Sequence, residues 1–81
     1  MIDYNHVLRC VAASPEAREQ LTAALVYSEH GIHDLMRLHA AAAADILVAK
    51  HPDLGDPLRL CAVLVAAFLQ DERDRQTAWL N

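Results

Sequence analysis

The chain has 81 residues, a formal net charge of −4 and 54% hydrophobic residues, with few aromatics. That length allows one small domain, here taken as residues 1–81, whose lone core is marginal. The seven Lys and Arg residues are scattered, so there is no basic patch to carry direct nucleic-acid binding.

Taken in chain order, "MIDYNHVLRC" has no basic start followed by a long apolar stretch, so no signal peptide is expected. Val7, Leu8 and Val11 fall on one stripe of a short helix over about 3–13. Ser14, Pro15 and Glu16 form a helix start, with a capping side chain, a proline at the first helical position and an acid in the first turn. The next stop is at "HPDLGDP", residues 51–57, where Pro52 forces His51 out of helical geometry and Lys50 suits a helix end. Asp56 and Pro57 open a last helix over about 57–80. No alternating β-branched runs suggest strands.

Between Pro15 and Lys50, apolar and small residues recur at spacings of 4-3-4-3 through Leu21, Leu25, Ser28, Ile32, Leu35, His39, Ala42, Ile46 and Ala49. This heptad seam crosses Gly31 in phase, and glycine inside a helix costs only about 1 kcal/mol relative to alanine. The expectation is one continuous helix over about 15–50, bent at Gly31, with two shorter helices as the alternative. The fold expected is therefore all-α. The long helix and the helix over 57–80 form an antiparallel hairpin beside the short N-terminal helix.

"AAAAADILVA" (40–49) and "CAVLVAAFL" (61–69) are apolar on nearly every face, whereas a two-helix hairpin covers one face of each helix. A second chain is thus expected to complete a bundle. The expected contact residues are Ala43, Ile46, Leu47, Leu60, Leu64, Val65 and Phe68, with Leu21, Leu25, Ile32, Leu35 and His39 along the seam. The run at 61–69 is too short for a membrane span of about 20 residues, so a cytoplasmic protein without a membrane partner is expected.

Three of five histidines lie in "YSEHGIHDLMRLH", residues 27–39. On a continuous helix Glu29 would meet His33, and His30 would meet Asp34, at four-residue spacing. A zinc site needs three or four ligands in fixed geometry, and these four residues supply no HExxH or ExxH pattern. No metal or other cofactor is expected there. The two cysteines, Cys10 and Cys61, read as small buried hydrophobes. No nucleophile–base pair or phosphate-binding loop is recognisable, so no enzyme is expected.

The functional expectation is a non-enzymatic protein–protein interaction module: a small adaptor, co-chaperone or regulator that forms a homodimer or heterodimer. The alternatives are a metal- or pH-responsive sensor built on residues 29–39, and a regulator reaching nucleic-acid machinery through protein contacts.

Overall fold

The computed structural model describes residues 3–80, in the order α1 (Tyr4–Ala12), α2 (Pro15–Glu29), α3 (His33–Lys50), a 3-10 turn (Pro52–Leu54) and α4 (Pro57–Leu80). Met1, Ile2 and Asn81, part of the single domain expected, lie outside the described residues. Among the described residues there is no strand.

The starts of α1, α2 and α4 each have a side-chain cap, whereas α3 begins at Ile32 without one. Asp3 accepts a hydrogen bond from the Asn5 amide at 3.0 Å, Ser14 from Ala17 at 3.3 Å and Asp56 from Leu58 at 3.0 Å. Pro15 and Pro57 stand at first helical positions, where a missing amide hydrogen costs nothing.

The continuous helix expected over 15–50 is instead two helices. α2 ends at Glu29. Gly31 takes a left-handed conformation, φ 71°. Its amide donates to the Ser28 carbonyl at 3.0 Å, and the Ile32 amide donates to the Tyr27 carbonyl at 2.9 Å. This pair of bonds is a Schellman cap, which satisfies carbonyls left open at the end of α2. The chain then turns back. A straight helix from 15 to 50 would be about 54 Å long, longer than the 41 Å of the molecule's greatest extent.

The three longer helices run up, down and up. Lys50, at the end of α3, donates to Ser14 Oγ at 3.4 Å and pairs with Glu16 at 3.1 Å at the start of α2. His33, at the start of α3, meets Glu72 of α4 at 3.0 Å. Arg75 reaches Glu29 at 3.7 Å, joining α4 to the end of α2.

Alanine sets how closely these helices approach. Ala17 and Ala24 of α2, and Ala40, Ala43 and Ala44 of α3, are fully buried. Small side chains let helix axes come within about 8 Å. Larger residues fill the remaining space: Met36, Leu47, Leu60 and Val7 are also completely covered. Leu54 of the 3-10 turn closes the same cluster at the loop end.

The break at Gly31 also changes which face of α3 is covered. Its buried line runs through Met36, Ala40, Ala43 and Leu47, one residue along from the heptad positions Leu35, His39, Ala42 and Ile46. Leu25, Ile32 and Leu35 lie on open surface, 37%, 43% and 38% exposed. Once α2 folds back, it covers part of the α3 surface for which a second chain was expected.

Candidate functional site

Sequence position and side-chain surroundings now separate the histidines. Glu29 and His33 are not one turn apart on a helix, because Gly31 breaks the helix between them. Glu29 pairs with Arg75, and His33 Nε2 donates to Glu72. His30 does not meet Asp34 as expected but donates from Nδ1 to the Val26 carbonyl at 2.8 Å. Asp34 sits exposed in the first turn of α3. The four residues considered for a metal are thus drawn to different neighbours, and among the described residues no three His, Cys, Asp or Glu side chains are placed to hold an ion.

His39 is half-buried, with Nδ1 2.7 Å from Gln20 Oε1, and stacks on Tyr27 with ring centroids 5.4 Å apart. It ties α3 to α2 within the chain. His6, which the sequence suggests is a terminal residue with no implied chemistry, makes a shorter such link. Its Nε2 donates to Asp53 Oδ2 at 2.6 Å, which fastens α1 to the 3-10 turn. That hydrogen bond holds the Asp53 carboxyl below the ordinary carboxylate range. Cys10 is buried next to this pair, its Sγ 3.9 Å from His6 Nε2. Cys61 is half-buried, and burial pushes its thiol up, with the Asp45 carboxylate adding to the effect.

Of the expected contact residues, Ala43, Leu47, Leu60 and Leu64 are covered by the chain's own helices. Ile46, Val65 and Phe68 are half-buried. Phe68 belongs to an open groove of about 520 Å³ where α1, α2 and α4 meet. Tyr4 and Leu8 stand on its α1 wall, 47% and 49% exposed. Leu21 and Leu25 come from α2, and Leu64, Ala67 and Phe68 from α4. Asp71 and Asp74 border it on the α4 side. An adjoining hollow shares Val11, Leu21, Leu25 and Phe68 and adds Arg18 and Thr22.

The groove has a plain origin. α1 is only nine residues long and packs through Val7, Cys10 and Val11. It cannot cover the length of α2 and α4, so their apolar residues beyond its reach stay open. Sequence reading found Leu21, Leu25 and Phe68 but not their convergence with Tyr4 and Leu8. Tyr4 and Leu8, four apart on one helix face, were the available signal.

This lining suits apolar contact with another surface. It holds no pair of nucleophile and base, and its only ionised groups stand at the margins. No helix among the described residues is long and apolar enough to cross a membrane. No protein-family model, curated protein or solved structure matches the chain.

Proposed function

We propose that the chain is a non-enzymatic protein–protein interaction module whose groove between α1, α2 and α4 receives an apolar helix face. One observation carries this reading: Tyr4, Leu8 and Leu25 remain substantially exposed around a hollow of about 520 Å³. Contiguous apolar surface with a polar margin marks interaction sites far better than single exposed residues do. The half-buried Phe68 supplies the kind of aromatic anchor around which interface energy concentrates. The roles of adaptor, co-chaperone and regulator all fit such a module.

The test is site-specific capture. A photo-reactive residue replaces Leu25 in the groove or Leu58, which is 80% exposed and outside the groove. In native cells, adducts are expected at position 25 and not at 58. If exposure alone governed capture, Leu58 would react more, and equal or absent adducts at both positions would overturn the reading.

A second reading, a pH-responsive sensor, is favoured by the way His6, His33 and His39 each bridge two elements. Histidine changes charge near pH 6.5. If it is correct, replacing His33 and His39 with Gln removes most of the difference in melting temperature between pH 7.5 and 5.5. An unchanged difference would dismiss it.

A further inference from the structure

We propose that the occupant of the groove is a second copy of this chain, held about a two-fold axis through the apolar floor. This rests on the interaction-module reading and specifies its partner.

The charges beside the floor carry the argument. Val11, Leu21, Leu25 and Phe68 are common to the two adjoining hollows. The hollow on one side adds Arg18, and the one on the other adds Asp71 and Asp74. Arg18 is exposed and has no ion-pair partner among the described residues. Among the described residues, Asp74 accepts only from the Gln70 side-chain amide, at 3.0 Å. Asp71 shares Arg75, at 3.6 Å, with Glu29. The surface is therefore a strip with a free cation on one flank, an excess of carboxylate on the other and an apolar centre.

A two-fold interface places each patch against the partner's patch, with its two flanks exchanged. An axis through Leu21, Leu25 and Phe68 brings Arg18 of each copy toward Asp71 and Asp74 of the other. The apolar floors then cover one another, and Tyr4 and Leu8 of each α1 close the sides. A uniformly basic helix would satisfy the carboxylates but be repelled by Arg18. An acidic helix would meet the reverse problem. The chain itself has the bipolar pattern that the groove requires, which offsets the general repulsion between two molecules of charge −4.

The symmetry permits a stringent test with Arg18→Glu and Asp74→Arg, both at exposed positions. Alone, each variant would place like charges together twice across the interface. Its dimer dissociation constant should rise about tenfold by sedimentation equilibrium. Mixed in equal amounts, the two variants form a heterodimer in which both cross-contacts unite opposite charges, so near-native affinity returns. The double variant restores it as well. Circular dichroism should show native helicity throughout, and a variant that loses helicity is replaced by Arg18→Gln or Asp74→Asn, each expected to weaken association about threefold.

Unchanged affinity in the single variants, or no recovery on mixing, overturns the self-pairing. A wild-type chain that stays monomeric at about 100 μM does so too. The adduct mass from a photo-reactive position 25 separates the two proposals. Twice the chain mass supports self-pairing. Another mass rejects self-pairing but keeps the module, and no adduct rejects both.

Discussion

Ser28 is 1% exposed, and its hydroxyl has no hydrogen-bond partner among the described residues. A buried hydroxyl left unpaired costs about 1–3 kcal/mol. Ser28→Ala removes the hydroxyl from a helical position where alanine is also the better helix former. The variant should be about 1 kcal/mol more stable in urea unfolding, and an equal or lower midpoint would show that the hydroxyl is satisfied in solution. Asp53 gives an opposite kind of prediction. Because His6 lowers its folded-state pKa below 3.8, its contribution is fully present above that value and is lost as pH falls through the folded value. The stability difference between the native chain and Asp53→Asn should therefore shrink as pH falls below 3.8. A difference that did not fall at all below pH 3.8 would mean that the carboxylate is not the active group. Neither effect was legible in sequence. His6 and Asp53 are 47 positions apart, and no periodicity links them.

At the scale of elements, the boundaries set by local chemistry were legible. Ser14–Pro15 and Asp56–Pro57 mark the starts of α2 and α4 because capping and the lack of a proline amide hydrogen act within four residues. Gly31 was misread because its cost inside a helix was weighed without the gain from a Schellman cap after it. The seam offered no warning. With five consecutive alanines at 40–44, α3 presents small residues on several faces, and more than one heptad phase fits. Gly31→Ala tests the balance. A Cβ at this position meets no atom within 4 Å, so the cost is conformational. Left-handed geometry penalises alanine by about 1–2 kcal/mol, while a continuous helix would welcome it. The variant should lose about that much stability. It should also populate a dimer in which residues 15–50 are one helix and each α2 packs on the other chain's α3. Size-exclusion chromatography of refolded protein, showing no added dimer, would argue that the turn is held by more than the glycine.

For the whole molecule, the candidate groove lay beyond sequence reading for a geometric reason. It is assembled from Tyr4 and Leu8, Leu21 and Leu25, and Leu64 and Phe68, on three helices whose relative placement depends on the turn at Gly31. The apolar run at 61–69, expected to pack on a second chain, leaves Val65, Phe68 and Leu69 half-buried within this one. The contact surface expected on α3 was overestimated, because α2 returns to cover Ala40, Ala43 and Ala44.

The order of packing has a kinetic consequence. The main helix contacts join chain neighbours, α1 with α2, α2 with α3 and α3 with α4, while α2 with α4 skips one. The connections are short, from Ala13–Ser14 to the segment 51–56. Little chain must be searched before each helix finds its neighbour. Proteins dominated by such local contacts fold in about microseconds to milliseconds. The main phase of stopped-flow refolding monitored by helical circular dichroism should therefore finish within a few milliseconds at low denaturant. Lengthening the 51–56 segment with glycine and serine should slow it only slightly, since doubling a loop adds about 0.6 kcal/mol of closure cost.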